Sequence, residues 1–294
     1  MSKITAVVVT YYPDYKALNS LIEAVVSQVD RVVIVDNATA DLRIDHFPTF
    51  QSVEWLVNRS NLGVAAAYNQ GISVAQRNDA SHIVLFDQDS CPSTNMIEVL
   101  LQTWRQAKNE GLKVAALGPN YRDTKGVYQA PFVKMKGIGL TRVACNSGES
   151  VEVDHLISSG CLIDLEALHD IGTFEEQLFI DYVDTEWCLR ARKKNYLLLG
   201  VGDADMQHSL GDKYLRFLHK RIPAHSPLRH YYLLRNGAWL TSQTWVGWRW
   251  RIIDFKRLVK IFIVFSLFSE SRWEHCKMMV LGLLHFGKGK MGKL

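Results

Sequence analysis

The stretch Ile83-Val84-Leu85-Phe86-Asp87-Gln88-Asp89 decides the predicted fold, because an apolar run ends there abruptly in two carboxylates. Four apolar residues in succession, β-branched and aromatic ones among them, are typical of a strand buried on both faces of a sheet. A helix-favouring stretch at 94–108 follows. Ligands of open α/β sheets bind beyond the carboxyl ends of the strands, so Asp87 and Asp89 lie where chemistry is expected.

The spacing of the two aspartates predicts a shared ligand. Side chains two residues apart on a strand point to the same side, which turns Gln88 away. Neighbouring carboxylates repel unless a cation lies between them, and their hard oxygen atoms suit Mg²⁺ or Mn²⁺, which also bind substrate phosphates. The alternative is that one Asp caps the following helix while the other is solvated, and a D-x-D motif alone is too common to decide.

Strand-like and helix-like segments alternate on both sides of this stretch. Apolar, β-branched runs predict strands at 4–10, 31–35, 53–57, 83–86, 114–117 and 196–201. Apolar residues at helical spacing predict helices at 15–28 and 64–76. This alternation implies an α/β fold with a mostly parallel sheet flanked by helices. Residues 121–148 are predicted as a surface excursion, and 153–163 as a strand that Ser158-Ser159-Gly160 interrupts.

Charge is unevenly distributed along an otherwise ordinary globular composition of 48% hydrophobic and 22% charged residues. The formal net charge is +4, but residues 245–294 carry ten Lys or Arg against three Asp or Glu, which leaves −3 on the first 244 residues. A basic, aromatic tail predicts a negatively charged partner, either lipid head groups or nucleic acid. Nucleic acid is disfavoured because the basic residues fall in the most apolar part of the chain.

The cysteines and the N-terminus indicate a compartment. The five cysteines are scattered without a C-x-x-C pair, which disfavours a zinc site or a disulfide framework and fits a reducing cytosol. The first residues lead straight into a predicted strand without a signal-peptide pattern, and no stretch approaches the roughly 20 apolar residues that span a bilayer. A cytoplasmic protein is therefore expected.

Polar and small residues after other strands extend the candidate site. Asp36-Asn37 ends the second strand and fits contact with a nucleotide's base or ribose, or equally a simple turn. Gly63, Ala67 and Gly71 follow at four-residue steps, which predicts a helix that approaches another backbone closely and has N–H groups at its start free for phosphate or sugar oxygens. The first strand is not followed by G-x-G-x-x-G, which disfavours a nicotinamide enzyme.

An acidic cluster and one histidine complete the candidates. Asp181, Asp184 and Glu186 stand within six residues at the predicted start of a helix. Capping and the helix dipole explain one acidic residue there, but three exceed that need, and a carboxylate in this place is suited to act as a general base. His208 follows the strand at 196–201 and is either a structural histidine or a third metal ligand beside the D-x-D pair.

In combination these residues resemble the family-2 glycosyltransferases of the GT-A fold, most of all the bacterial rhamnosyltransferases of surface-polysaccharide (O-antigen) synthesis. The resemblance covers about residues 4–240 and follows the order Thr10-Tyr11-Tyr12, Asp36-Asn37, Asn61-x-Gly63-x₃-Ala67-x-Asn69-x-Gly71, Asp87-Gln88-Asp89, Ser159-Gly160, Asp181-Tyr182-Val183-Asp184-x-Glu186-x₃-Arg190, His208. Each motif alone is weak, whereas the combination is specific. It implies a Rossmann-like GT-A fold and an inverting, Mg²⁺- or Mn²⁺-dependent transfer of a sugar from a nucleotide sugar, here dTDP-L-rhamnose.

The resemblance also implies roles for individual residues. It gives donor binding to Thr10, Tyr12, Asp36, Asn61, Gly63, Asn69 and Asp87, the metal to Asp87, Asp89 and His208, and the acceptor side to Ser159 and Gly160. Asp184 matches the family's catalytic base. In relatives that base is usually the Asp of a Glu-Asp pair, whereas Val183 precedes it here, which leaves Asp181 as the alternative base.

The last third of the chain predicts the surroundings of the acceptor. Residues 225–236 combine cations with aromatic rings, and Arg229 and Arg235 either hold a diphosphate or lie exposed on a helix with an aromatic core face. Residues 245–268 alternate bulky apolar residues with Arg and Lys, which is typical of a helix in the membrane interface. Core packing and a dimer interface are the alternatives for that segment.

The predicted organisation has two parts. Residues 1–240 are expected to form the GT-A domain, with a nucleotide-sugar half up to about 120 and a catalytic, acceptor half beyond it. Residues 241–294 are expected to form a helical extension that associates with the anionic inner face of the cytoplasmic membrane, where a polyprenyl-diphosphate-linked glycan is the acceptor. Three alternatives stay open: a nucleotidyltransferase, the same fold with UDP-galactofuranose or a UDP-hexose as donor, and a non-catalytic scaffold.

Overall fold

The computed structural model describes residues 2–123, 131–208, 213–217 and 220–294, without the side chains of residues 123, 208, 213–217 and 220–224. The strands in these ranges are β1 Ile4–Thr10, β2 Arg31–Asp36, β3 Val53–Val57, β4 His82–Asp87, β5 Cys91–Pro92, β6 Val114–Asp123, β7 Phe132–Lys136, β8 Gly139–Val143, β9 Ser150–Val153, β10 Leu162–Asp164, β11 Leu197–His208, β12 Lys213–Phe217 and β13 Lys220–Ala224. The helices there are α1 Tyr15–Val26, α2 Val64–Arg77, α3 Met96–Asn109, α4 Leu165–Ile171, α5 Val183–Lys193, α6 Pro227–Ser242, α7 Trp248–Phe268 and α8 Arg272–Gly287.

A mixed, mostly parallel sheet forms the centre of the fold, in the order β3-β2-β1-β4-β10-β6-β11-β5 with β9 also paired to β11. The strands β3, β2, β1 and β4 are parallel neighbours, and β6 is parallel to β11. Strand β10 lies antiparallel between β4 and β6. The predicted α/β class with a mostly parallel sheet is therefore confirmed.

Parallel register brings the carboxyl ends of three strands to one edge of the sheet. Val9 of β1 lies opposite Asp87 of β4, and Thr10 lies opposite Asp36 of β2. Every residue of β1 is buried, as expected for a strand that is covered on both faces and built from apolar, β-branched residues. The polar residues begin where the strands end, so the sequence pattern places them together.

Helices cover both faces of this sheet. Helix α1 buries Leu18, Leu21, Ile22 and Val25, which recur at helical spacing. On the other face α2 approaches β1 so closely that a Cβ on Gly71 would collide with the Val7 side chain. The small residues of α2 thus allow tight packing on β1, although the nearest atoms at Gly71 belong to a side chain and not to the predicted backbone.

Two segments differ from their predicted structure. The excursion predicted at 121–148 contains the end of β6 and the hairpin β7–β8. The strand predicted at 153–163 is wrong in its middle, because β9 ends at Val153 and β10 begins at Leu162. Gly160 has a φ of +76° and donates its N–H to the Leu85 carbonyl oxygen at 2.7 Å, so the chain turns there to join β4.

The C-terminal helices pack on the body of the fold. A Cβ on Gly282 of α8 would lie 2.5 Å from the Tyr231 carbonyl oxygen of α6, so these two helices are in close contact. The predicted division at residue 240 falls inside α6 and stays a prediction. Within the described residues, no helix has the length and apolar character needed to cross a membrane.

A buried histidine pair joins α6 to α8. The Nδ1 atoms of His230 and His275 lie 2.7 Å apart, and the two residues are 1% and 6% exposed. One ring donates and the other accepts, so at least one of the two is neutral. Burial, and then the neighbouring His275, lowers the pKa of His230 to about 3.

Acidification should therefore destabilise the protein. The unfolded chain binds a proton at His230 near the ordinary pKa of 6.5, whereas the folded protein binds it only near 3, so stability present above pH 6.5 is lost as the pH falls through that window. At pH 5 this one group costs about 2 kcal/mol of unfolding free energy. Urea unfolding at pH 7 and pH 5 should show a larger loss for the wild type than for His230→Gln. Equal losses in the two proteins would contradict this account.

Candidate active site

The carboxylate of Asp36 organises the edge formed by β1 and β2. It is fully buried and accepts hydrogen bonds from the Thr10 hydroxyl at 2.8 Å and from the N–H and hydroxyl of Thr39 at 2.7 and 2.6 Å. The Thr39 hydroxyl oxygen in turn accepts from the Tyr12 N–H at 2.8 Å, and the Tyr12 side chain is exposed. The structure brings Thr10, Tyr12 and Asp36 together, with Asp36 as the support and Tyr12 as the surface. Their role in donor binding stays a prediction.

Asp87 is the last residue of β4, and a turn follows it. The Ser90 N–H donates to the Asp87 carbonyl oxygen at 3.1 Å, so Gln88 and Asp89 are the central residues of a turn. The strand alternation predicted for Asp87 and Asp89 is therefore wrong. The Asp87 carboxylate accepts a hydrogen bond from the Tyr68 hydroxyl at 3.0 Å, while Asp89 is exposed.

The end of β11 runs beside this turn. Gln207 pairs with Cys91 of β5 in antiparallel register, which brings the backbone of His208 close to the Asp87–Asp89 turn. The side chain of His208 lies outside the described residues, so its role as a metal ligand stays a prediction. Among the described side chains, no three of His, Cys, Asp or Glu come together as a metal site.

The three carboxylates of the acidic cluster have separate partners. Glu186 is 2% exposed and pairs with Arg190, with 2.6 Å between Oε1 and Nε, which makes both structural. Asp181 accepts two hydrogen bonds from the Arg229 guanidinium, one of them at 3.1 Å from Nε. Asp184 pairs with neither arginine in this way. The cluster thus divides into two ion pairs and one carboxylate of a different kind.

Asp184 lies in the first turn of α5 with 28% of its side chain exposed. Its Oδ1 accepts from the Thr185 N–H at 2.7 Å and lies 3.7 Å from His155 Nε2. Burial acts to raise the pKa of the Asp184 carboxyl, but the His155 imidazole and the Thr185 donors outweigh burial and the pKa is lowered below its ordinary value. Asp184 is therefore ionised at neutral pH and reachable from solvent.

Tyr68, Asp87, Asp184 and Arg229 form one electrostatic cluster. Burial, and then the Asp87 charge, raises the pKa of the Tyr68 hydroxyl well above its ordinary value, and Asp184 adds to the rise. Burial acts to lower the pKa of Arg229, but Asp181, Asp87 and Asp184 raise it. The charges of Asp87 and Asp184 therefore act on both Tyr68 and Arg229, which supports one site at the D-x-D turn and the start of α5.

The start of α2 is closed by the loop before α5. The Val64 N–H donates to the Phe179 carbonyl oxygen at 2.7 Å, so the prediction of free N–H groups at this helix start is wrong at Val64. Gly63 has a φ of +89°, and a Cβ there would lie 2.5 Å from the same oxygen. Asn61 Oδ1 accepts from the Gly63 N–H at 2.9 Å and stabilises this turn. Asn61 and Gly63 thus shape the junction between α2 and the loop before α5, and their role in donor binding stays a prediction.

Asn69 serves a different part of the fold. Its side-chain amide donates at 2.9 Å to the Phe174 carbonyl oxygen and to the Glu176 carboxylate, and its oxygen accepts from the Phe174 N–H at 3.0 Å. These bonds join α2 to the loop at 174–176. The structure thus gives Asn69 a packing role, and its predicted contact with the donor stays a prediction.

The predicted acceptor residues separate into one exposed and three buried groups. Arg235 is fully buried and donates to the carbonyl oxygens of Leu178 and Gly292 at 3.3 and 2.5 Å, so its assignment to a diphosphate is wrong.

Ser159 is 1% exposed and hydrogen bonds to the Ser90 hydroxyl. Gly160 is buried, and a Cβ there would lie 2.6 Å from Pro119. These last two residues support the end of β4 and present no surface to an acceptor, whereas 41% of the Arg229 side chain is exposed.

Sequence reasoning missed three residues of this site. Tyr68 lies on the buried face of α2, and the sequence pattern alone predicts an ordinary core aromatic there. His155 lies between β9 and β10, and Thr185 follows the candidate base directly in the chain. Only Thr185 could have been found from the local sequence, because it is next to Asp184. Tyr68 contacts Asp87, 19 residues further along the chain, and His155 contacts Thr185, 30 residues further along.

The comparisons with known proteins agree on a family and a fold. Residues 6–171 match the family description "Glycosyl transferase family 2". The chain is 36% identical over 296 residues to the dTDP-rhamnosyl transferase RfbF of Shigella flexneri, with 99% of this chain and 97% of that protein covered. It is 21% identical to the low-salt glycan biosynthesis hexosyltransferase Agl10 of Haloferax volcanii, with 98% and 92% covered.

Solved structures with low sequence identity share the fold. GalNAc-T7, crystallised with UDP, GalNAc and Mn²⁺, matches with a TM-score of 0.58 at 12% identity, over 92% of this chain and 58% of that chain. Residues 1–349 of TarS from S. aureus, in complex with UDP-GlcNAc, match with a TM-score of 0.57 at 15% identity, over 97% and 80%. Both neighbours confirm the predicted GT-A architecture.

Substitution of Gly63 should show how tightly the α2 start is held against the loop before α5. Gly63→Ala places an alanine at a left-handed φ angle and brings its Cβ into a clash with the Phe179 backbone. We therefore expect a loss of about 2–4 kcal/mol in unfolding free energy. Gly111→Ala is the matched control, since Gly111 has a φ of +77° but nothing within 4 Å of the added Cβ. It should cost only about 1 kcal/mol. Urea unfolding measures both, and equal losses would show that the Phe179 contact imposes no constraint.

Proposed function

Because the chain belongs to glycosyl transferase family 2 and is a glycosyltransferase, we propose that it transfers L-rhamnose from dTDP-L-rhamnose. We further propose a lipid-linked glycan as acceptor, an inverting single displacement and a divalent metal, in the synthesis of a bacterial surface polysaccharide (O-antigen). The observation that carries the reaction is the ionised, partly exposed Asp184 in one cluster with Asp87 and Arg229. The donor is supported by the 36% identity to a dTDP-rhamnosyl transferase over nearly the whole chain.

Asp184 is the catalytic base of the proposed reaction. It takes the proton of an acceptor hydroxyl, whose oxygen forms a bond to the anomeric carbon of the donor sugar. The bond from that carbon to the diphosphate oxygen breaks, and its electron pair leaves with dTDP. A base is typically worth about 10²–10⁴ in rate. Asp181 is the weaker alternative, because it is already held by Arg229 and its side chain is only 9% exposed.

We propose that two groups offset the negative charge of the leaving diphosphate: the Arg229 guanidinium and a divalent metal ion. Arg229 is a half-exposed cation within the field of Asp87 and Asp184, where a planar guanidinium suits a phosphate. Asp87 and Asp89 would hold Mg²⁺ or Mn²⁺, because carboxylate oxygen atoms are ligands that both ions prefer. His208 would add a ring nitrogen as a further ligand. A bound divalent cation offsets the negative charge that develops on the leaving group. The Tyr68 hydroxyl orients Asp87 from the buried side.

The outer face of α7 supports membrane association. Exposed apolar side chains recur along one side of this helix: Trp248, Ile252, Phe255, Val259, Ile263 and Leu267. Lys256 and Lys260 are exposed beside them. An apolar face with flanking basic residues is typical of helices that lie in the membrane interface. An apolar cavity of about 430 Å³ between α6, α7 and α8 opens beside the same face, which fits the chain of a lipid. We propose that this face docks on the anionic inner surface of the cytoplasmic membrane.

Release of nucleoside diphosphate tests the reaction. Purified protein with Mg²⁺ or Mn²⁺ should release dTDP from dTDP-L-rhamnose when a polyprenyl-diphosphate-linked glycan is present. Asp184→Asn should lower kcat by about 10²–10⁴ because it removes the base, and Asp89→Ala should raise the metal concentration needed. Asp79→Asn, an exposed aspartate outside the site, is the matched control and should be unchanged.

Other outcomes of this assay identify the alternatives. Release from a UDP-hexose or UDP-galactofuranose keeps the mechanism and overturns the donor. Release of inorganic diphosphate from a nucleoside triphosphate indicates a nucleotidyltransferase. Silence across a broad panel of donors and acceptors, from folded protein that binds membranes, indicates a scaffold.

Vesicle binding tests the membrane surface. Each basic residue near anionic lipid contributes about 1 kcal/mol, so Lys256→Glu should weaken binding to phosphatidylglycerol vesicles about tenfold or more. Lys16→Glu makes the same charge change at an exposed residue of α1 and should have little effect. Cosedimentation at 0.1 M salt measures both. Wild-type protein that binds anionic vesicles no better than neutral ones would rule the membrane proposal out.

A further inference from the structure

The loop that leads into α5 has an unusual backbone. Phe179, Asp181 and Tyr182 all have left-handed φ angles, of +65°, +62° and +69°, although none of them is glycine. Such conformations are sparsely populated and persist only where the surrounding structure holds them. Tyr182 is the residue that precedes α5 and Asp184 stands two residues later. The position of the proposed base therefore depends on what holds this loop.

Helix α6 holds the loop through hydrogen bonds to its backbone. The Asn236 side-chain amide donates to three carbonyl oxygens of the loop, those of Leu178 and Ile180 at 2.8 Å and that of Asp181 at 3.1 Å. Asn236 is fully buried, so these bonds do not compete with water. The buried Arg235 guanidinium adds a bond to the Leu178 carbonyl oxygen.

Helix α7 also holds the loop, through Tyr182. The Tyr182 hydroxyl lies 3.0 and 2.9 Å from the two Asp254 carboxylate oxygens, and Arg257 Nε donates to Asp254 Oδ1 at 3.0 Å. The Arg257 guanidinium also lies 4.9 Å from the centre of the Tyr182 ring. Tyr182 and Asp254 are 4% and 1% exposed. A buried carboxylate is stable only with such partners, so the network specifies where Tyr182 sits.

Gly237 of α6 leaves the space that this network needs. A Cβ at this position would collide with the Tyr182 hydroxyl and lie 2.8 Å from Leu258. Glycine is otherwise unfavourable inside a helix, and alanine would be preferred there. Glycine therefore stands inside α6 at the position that contacts the Tyr182 hydroxyl, where a side chain would not fit.

We propose that Tyr182, Asp254 and Arg257, with Asn236 and Gly237, form a positioning network that fixes the left-handed loop and thereby sets Asp184 at the reacting centre. None of these residues touches the reacting atoms in this account. The inference rests on the proposed function for its kinetic readout only. It makes α7 part of the catalytic unit: the face that carries Asp254 holds the loop, while the opposite face is the proposed membrane surface.

Kinetics of three variants test the network. Tyr182→Phe removes only the hydroxyl, Asp254→Asn removes the charge, and Gly237→Ala improves the helix while it displaces the tyrosine. Each should lower kcat for dTDP release about 10- to 100-fold, with the KM for dTDP-L-rhamnose changed less than threefold, because a small displacement of the base acts on the chemical step. The double variant Tyr182→Phe/Asp254→Asn should be no worse than the more impaired single one. Tyr196→Phe, a tyrosine against Lys113 outside the site, is the control and should be unchanged.

Amide hydrogen exchange gives a readout that does not need activity. The Glu186 N–H donates to the Tyr182 carbonyl oxygen at 2.8 Å, and the Val64 N–H to that of Phe179, so both report on the loop. They should exchange at least tenfold faster in the three variants, while the amides of β1 are unchanged. Unchanged exchange and kcat would overturn the network. A wild type without transferase activity would refute the proposed function, and the exchange rates would still decide the network.

Discussion

The separate hydrogen bonding of four aspartates is the constraint on which the active-site end of this fold depends. Asp36 and Asp87 lie at one edge of the sheet because β2 and β4 end there, and Asp181 and Asp184 lie just before and within the first turn of α5. Each of the four has its own donors: threonines for the first, a tyrosine for the second, an arginine for the third, and a histidine with a threonine for the last. The division leaves Asp184 ionised without an arginine partner, which is the state that a general base requires.

The sequence was sufficient for what depends on local periodicity and insufficient for what depends on distant contacts. Strands and helices follow from apolar spacing, and the position of Asp36 and Asp87 at one edge follows from parallel register. Arg229 and Arg235 share one cation-aromatic segment, yet they are six residues apart, about 240° around a helix. One therefore faces the carboxylates and the other is fully buried. Only the packing of α6 decides between them.

Helix α7 has two different faces, one against the loop before α5 and one in solvent. The inner face of α7 carries Asp254 against the loop before α5, and its outer face carries Phe255 and Lys256 in solvent. A helix that served only as an anchor would not need a buried aspartate. In the proposal the same helix orients the base and places the enzyme where a lipid-linked acceptor is presented.

The most direct measurement is a crystal structure of the protein with dTDP and Mn²⁺. We expect the diphosphate and the metal at the Asp87–Asp89 turn, the nucleoside over the edge formed by β1 and β2 beside Tyr12, and Asp184 open to the acceptor side. A nucleotide bound elsewhere would contradict this expectation, for example in the polar cavity of about 740 Å³ between the loop at 173–177 and α6, which is lined by Glu176, Glu186 and Arg190.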